Sequence, residues 1–402
     1  MLYHSFTEVF AMKINKKDPK HWLYLANFAL FVLLSIPLRP LLKRFKRKPI
    51  VILYGHKLSG NLLGIKRQLD RGNSNIESFF LTMDPAYFRQ NKDFLCAQNP
   101  LHILKVVSAD CLISDHGLHA LIFYLKMTDM KFFDVWHGIP YKGFDSQDFK
   151  VQHCYDETWV ASPLLAEIYT KQFGFKKSNV AVTGYARTDT IVARTETDNE
   201  IFQRLGLRHI NSRKLVLFAP TWKQDSEHRS LFPFDKPAEV FLKDITNVCL
   251  RNNAILLFRA HLNTGDSIVL PDDSAIAVPF ADYPDTEALL RISDVLICDW
   301  SSIAFDYLLL DRPALFLDVE PPFRKGFSLG PEYRYGAIIK DFSKLLEQLD
   351  RCLSKPDDYW KEYGEHHVTT REKVYGSYAD GQSAQRCINR LKGGLAEANE
   401  LR

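Results

Sequence analysis

The 402-residue chain contains no CxxC pair, and its seven cysteines (Cys96, Cys111, Cys154, Cys249, Cys298, Cys352 and Cys387) lie singly along it. An odd number of isolated thiols, several inside apolar runs, speaks against a disulfide framework. It fits buried free thiols in a reducing compartment, with the catalytic part in the cytosol. No internal repeat and no low-complexity segment occurs. A Walker A sequence, a G-x-G-x-x-G and a G-x-S-x-G are also missing. These absences count against a P-loop kinase, a Rossmann dehydrogenase and an α/β-hydrolase. Neither sign of charge dominates: 52 Lys and Arg face 48 Asp and Glu, a formal net charge of +4. Much of that excess is local, which argues against a nucleic-acid partner.

Hydrophobic residues make up 46% of the chain and charged residues 25%, the balance of a globular protein. The length exceeds one compact core, so two units of about 150–200 residues are expected. Residues 22–38 are apolar nearly all round, broken only by Asn27 and Ser35 and closing with Pro37. Lys13, Lys16, Lys17 and Lys20 precede this segment; Arg39, Lys43, Arg44, Lys46, Arg47 and Lys48 follow it. It is at the lower limit of the about 20 residues that a bilayer span needs. It also lacks the small-x-small site that would end a signal peptide. The expectation is a membrane-dipping anchor whose basic flank sits against anionic lipid, with a true span and a buried core helix as alternatives.

Beyond the basic cluster, short apolar runs alternate with helical patterns. Strands are predicted at 49–55, 76–81, 111–114, 132–136, 158–160 and 179–183, with helices near 61–72, 117–127 and 163–173. An irregular charged stretch, 194–213, then precedes a second set. Its strands are predicted at 214–218, 254–259, 274–278, 294–298 and 314–317, and its helices near 236–251, 285–292 and 302–311. Three helical pieces follow, near 341–353, 356–366 and 382–396. This rhythm is that of parallel sheets covered on both faces: an α/β fold of two doubly wound lobes, hinged near residue 200, with a ligand cleft between the strands' C-terminal ends.

Polar clusters fall at those strand ends. They are Trp136-His137-Gly138-Ile139-Pro140 with Lys142, Gly184 to Asp189, Ala219-Pro220-Thr221-Trp222-Lys223, Arg259-Ala260-His261, and Asp299 to Ser302 with Asp306. His137 stands after a strand and before a glycine, in a loop too polar for core. Two-residue alternation puts Arg259 and His261 on one side of a strand end, a pairing suited to a phosphate-bearing ligand. Ser301 and Ser302 stand where a helix starts after a strand, where free amides favour a phosphate or ribose; simple helix capping is the plain alternative. Asp115-His116-Gly117 with His119 is a weak metal signal, and His366-His367 is expected on a solvated helix face.

Taken in order, these clusters resemble the CDP-glycerol glycerophosphotransferases of teichoic acid and related polymer synthesis. WHGIPYKGFD (136–145), TGYARTD (183–189), FAPTWK (218–223), FRAH (258–261), DVLICDWSSIAFDYLLLDRPALF (294–316) and VYGSYADGQSAQRCINRL (374–391) each resemble a family motif. Ile139, Ala186, Leu262 and Trp300 depart from the family pattern and leave the donor alcohol open between glycerol, ribitol and another CDP-linked polyol.

The resemblance implies a GT-B architecture of two Rossmann-like lobes. Residues 1–48 would be the membrane-associating segment, 49–200 the acceptor lobe, 201–380 the donor lobe and 381–402 a helix returning to the acceptor lobe. It implies His137 and His261 as catalytic residues, with His137 the base and His261 on the donor phosphates, or the reverse. Donor contacts are implied for Gly138, Arg187, Thr221, Lys223, Arg259, Ser301, Ser302 and Asp306. No cofactor or metal is implied; CDP-glycerol is the donor substrate. The acceptor implied is a polyprenyl-pyrophosphate-linked saccharide at the cytoplasmic face of the membrane. A nucleotide-sugar glycosyltransferase or epimerase of the same two-lobed fold is the alternative reading.

Overall fold

The computed structural model describes residues 19–71, 75–89, 93–118, 121–194, 196–207, 210, 213–221, 231–259, 270–271, 275–280 and 282–400. The first sheet is built from β1 (Ile50–Tyr54), β2 (Glu77–Thr82), β3 (Phe94–Cys96), β4 (Cys111–Ser114), β5 (Lys131–Asp134), β6 (Glu157–Val160) and β7 (Val180–Val182). The second holds β8 (Lys214–Phe218), β9 (Ala254–Phe258), β10 (Ala275–Ala277), β11 (Val295–Cys298), β12 (Ala314–Leu317) and β13 (Ala337–Ile339). Their orders are 3-2-1-4-5-6-7 and 10-9-8-11-12-13, and adjacent strands run parallel.

Such strands are covered on both faces and therefore read as unbroken apolar runs. All five residues of β1 and of β9 are buried. Alternate β1 residues feed two cores: Ile52 and Tyr54 join one, Val51 and Leu53 the other. Each sheet reverses its winding once, between β1 and β4 in the first lobe and between β8 and β11 in the second. Crevices open outside the carboxyl ends of strands at such reversals.

The N-terminal helix Pro19–Ser35 buries Phe28 and Val32 against the first lobe. Its other face exposes Trp22, Leu23, Leu30, Leu33 and Leu34. After a helical turn at Ile36–Leu38, helix Arg39–Phe45 is fixed by the buried Arg39, which donates to the carbonyls of Val107 and Ala109 and to Asp129. At the other end of the chain, helix Ser383–Glu400 packs on helix Gly60–Arg71 of the first lobe, burying Ala384, Cys387, Ile388 and Leu391. Asp189 caps it, accepting from the Ser383 amide at 2.9 Å and the Ala384 amide at 2.7 Å.

Several boundaries differ from the sequence reading. The three-residue strands β3 and β13 are too short to show a period. The expected helix at 117–127 is the shorter Ile122–Met127. The stretch at 194–213 contains helix Asp198–Arg204, started by a Thr197–Glu200 capping box. The helix expected at 302–311 is Ile303–Tyr307 followed by a tighter turn at Leu308–Leu310, ended by Asp311 in the left-handed region. The helix beginning at Pro356 runs on to Tyr375. It continues past Gly364 because His367 is buried, not solvated: it packs on Tyr335 and Trp360 and lies 3.0 Å from the Leu308 carbonyl. Tertiary contact overrides local propensity there.

Candidate active site

The two reversal points face one another across the interlobe cleft, bridged by the segment after β5. Tyr141 packs on Trp300 and Phe305 of the second lobe. The Gly143 amide donates to the Gly326 carbonyl at 2.7 Å, and the Ser328 amide donates to Tyr141 at 2.9 Å. Trp136 opens the segment at a φ of 42°; a bulky residue in that region is strained and has to be held by its surroundings. Asn61 provides part of that hold. Its side-chain amide donates to the carbonyls of Val135 (2.8 Å) and Trp136 (2.9 Å), and its oxygen accepts from the Arg187 amide (3.1 Å).

His137 stands on the cleft floor, crowded by protein but open to solvent on one side. Its Nδ1 lies 3.1 Å from the backbone carbonyl of Asp115. A carbonyl only accepts, so Nδ1 carries the hydrogen and Nε2 of the neutral ring carries the lone pair. Lost hydration pushes the His137 pKa below the ordinary imidazole range; His116 adds to that shift, and Asp115 opposes it. The ring is thereby kept in the form that accepts a proton. Gly138 follows at φ +149°, and a Cβ there would lie 3.0 Å from Arg187 Nη2 and 3.2 Å from Ser302 Oγ. A side chain there would be strained at this φ and would press on Arg187 and, across the cleft, on Ser302.

Arg187 is the principal interlobe tie. It donates to the His137 carbonyl at 2.8 Å and, through Nε and Nη2, to both oxygens of Asp306. Glu287 lies 3.8 Å from its Nε. Arg187, Glu287 and Asp306 are all buried. The two residues implied as donor contacts therefore hold each other in this structure. Burial raises the pKa of Asp306 to about 6, against the pull of Arg187.

In the second lobe, Asp299 stitches the ends of β8 and β11 together. Its Oδ1 accepts from the Thr221 amide and hydroxyl and from the Trp300 amide. Ser301 and Ser302 are half-buried beside it, and neither side chain caps the short helix that follows. Arg259 is turned onto its own lobe: it donates to the carbonyls of Val278 (3.0 Å) and Tyr283 (3.1 Å) and to the Thr286 hydroxyl (2.8 Å). Burial pushes its pKa down to about 10. His261 and Lys223 lie outside the described residues, as does His119.

The structure thus brings His137, Gly138, Arg187, Ser302 and Asp306 to one place, with Thr221 and Ser301 on the facing crevice. Asn61 and Glu287 complete the frame without a signal in the sequence, where each is a lone polar residue outside any motif, and Asp299 of the 294–316 motif joins them. A cavity of about 400 Å³ lined by Arg194, Asp311 and Arg371 contains none of the candidate residues.

The chain is 27% identical over 305 residues to the teichoic acid ribitol-phosphate polymerase TarL of Staphylococcus aureus, covering 71% of this chain and 52% of that protein. It is 26% identical over 315 residues to the teichoic acid glycerol-phosphate primase of Bacillus spizizenii, covering 71% and 79%. The chain thus spans about half the length of TarL. The solved structure of the wall teichoic acid polymerase TagF superposes with a TM-score of 0.71 at 20% identity, covering 94% of this chain and 99% of that one. At such identity the likeness establishes the fold, two parallel-sheet lobes in a GT-B arrangement. The family match takes in both lobes and every cluster described above: through residues 38–393 the chain belongs to the CDP-glycerol:poly(glycerophosphate) glycerophosphotransferase family.

Proposed function

We propose that the protein transfers glycerol phosphate, or a related polyol phosphate, from a CDP-linked donor to a hydroxyl of a lipid-linked saccharide or growing polymer. The process served is teichoic acid or capsule-type cell-surface polymer synthesis. The observation that carries this reading is His137, fixed through Nδ1 with its basic nitrogen left free, opposite the Ser301–Ser302 crevice of the other lobe. The acceptor oxygen attacks the phosphorus that bears the polyol, and the P–O bond to CMP breaks. CMP leaves with that electron pair, and the acceptor's proton passes to His137 Nε2. The donor's diphosphate is assigned to the Thr221–Ser301–Ser302 side, where hydroxyls and loop amides meet its charge. Arg259 shapes that side through the loop it holds.

The test offers CDP-glycerol, CDP-ribitol and a UDP-sugar in parallel with a polyprenyl-pyrophosphate disaccharide acceptor. Acceptor-dependent CMP release from a CDP-polyol is expected; UDP release with no CDP-polyol turnover would overturn the reading.

The N-terminal region supports a peripheral, monotopic seat on the cytoplasmic membrane face. The helical stretch Trp22–Phe45 is long and apolar enough to cross a bilayer, yet one of its faces is already committed to protein. The exposed Leu30, Leu33 and Leu34 form the lipid-facing side, each contributing on the order of 1.5–3 kcal/mol when buried. Replacing these three by glutamine is expected to weaken partitioning onto vesicles containing anionic lipid at least about tenfold. Undiminished partitioning would rule out this face as the anchor.

A further inference from the structure

Three adjacent strands of the first sheet lead to a histidine. Tyr54 of β1 lies beside Ser114 of β4, and Ser114 beside Asp134 of β5. The chain then continues as Tyr54-Gly55-His56, Ser114-Asp115-His116 and Asp134-Val135-Trp136-His137. The register thus stacks the three imidazoles side by side over the first lobe's reversal point. His116 is in the middle, its ring centroid 4.2 Å from that of His56 and 4.3 Å from that of His137, within 12° of parallel to the latter. The Trp136 indole also packs on His137, at 4.4 Å. His116 and His137 meet by their faces, whereas His56 is tilted 55° from His116; among the described residues no group of three or more His, Cys, Asp or Glu is arranged to hold a metal.

A single residue grips two of these rings. The buried Asp115 accepts from His116 Nδ1 through its carboxylate at 2.8 Å and from His137 Nδ1 through its backbone carbonyl at 3.1 Å. We propose that His116, held by the Asp115 carboxylate, is a positioning residue for His137: it clamps the imidazole face-on and opposes its premature protonation. His137 then remains a competent base at the acid end of the working range. This rests on the reading of His137 as the base.

The physical argument is one of charge at short range. A proton on His116, facing the Asp115 carboxylate, is a like charge to any proton that His137 would take up at 4.3 Å, and such a neighbour lowers a base's pKa. Other groups also face His137. His56 stands beyond His116, Asp134 ends β5 three residues before His137, and Arg187 touches the His137 carbonyl with Asp306 and Glu287 behind it. Asp134 and Asp115 are both buried, and burial raises the first well above the carboxylate range and the second to about 7, so Asp134 adds no anion and Asp115 adds its full charge only toward the upper end of the pH range. Replacing His116 by an uncharged side chain removes the repulsion and leaves the Asp115 carboxylate nearer to uncompensated. Both changes raise the His137 pKa.

The experiment measures kcat/KM for CMP release against pH with CDP-glycerol and the polyprenyl-pyrophosphate disaccharide. The chain and its His116→Phe, His116→Gln and His137→Gln variants are compared. In His116→Phe, which keeps a ring, and His116→Gln, which keeps an amide toward Asp115, the acid limb is expected to move up by about one pH unit. The plateau is expected to fall less than about tenfold, as for a residue outside the proton transfer itself. An acid limb within about 0.2 pH unit of the parent in both variants overturns the role of His116. Retained turnover in His137→Gln overturns the base assignment instead, whatever the His116 variants do.

Discussion

Replacing His137 by glutamine is expected to lower kcat by about 10²–10⁴-fold, the range that a positioned general base contributes, while the KM for CDP-glycerol changes little. Glutamine approximates the size of imidazole and can still hydrogen-bond to the Asp115 carbonyl, but it accepts no proton at neutral pH. Steady-state CMP release gives both constants, and a loss confined to kcat marks an interaction made in the transition state. A rise in KM with kcat preserved would move His137 from proton acceptor to substrate holder. Ser302 supplies the contrast. It sits on the second lobe, half-buried and with no cap to hold, so Ser302→Ala should act chiefly through donor KM. The geometry behind this split is the bond from Nδ1 to a carbonyl, which fixes the tautomer before substrate arrives.

Much of this was legible in the sequence, and the reasons are physical. Strands such as β1, β9 and β11 are buried on both faces, and their continuous apolar runs announce a parallel sheet. His137 stood out because a histidine between a strand end and a glycine has few structural duties. What stayed hidden depends on strand order or on the meeting of the lobes. Asp115-His116 read only as a weak metal signal; its stacking on His137 follows from β4 lying beside β5, which the sequence does not state. Arg187 and Asp306 are 119 positions apart and each sits in a motif that implies a ligand contact, yet they pair with each other. Asp189 belongs to a motif that resembles a functional one, but its carboxylate caps helix Ser383–Glu400. A carboxylate at a helix N-terminus is a structural device that looks the same in sequence as a catalytic one.

Removing Arg187 should show how much the interlobe tie carries. Arg187→Met leaves Asp306 and Glu287 buried without their cation, and breaking a buried pair from one side costs about 3–5 kcal/mol. The loss should depend on pH. In the parent, burial already raises the Asp306 pKa to about 6, above the ordinary carboxylate value near 3.9. The folded chain therefore binds the extra proton between those values, and this group's contribution to stability falls as pH rises through that window. Without Arg187 the folded-state pKa climbs further, and the window extends to higher pH. Chemical denaturation of Arg187→Met should accordingly show a larger deficit at pH 8 than at pH 5.5. Arg187→Met/Asp306→Asn should recover part of it at pH 8, since an amide can be buried uncharged, while Glu287, whose pKa burial raises to about 7, retains the rest. An equal deficit at both pH values, with no recovery in the double variant, would mean that Arg187 acts through packing and not as the cation that lets two buried carboxylates sit at the lobe interface. Because the same guanidinium holds the His137 carbonyl at 2.8 Å, kcat should fall in the single variant and stay low in the double one. The tie between the lobes and the seat of the base are one side chain.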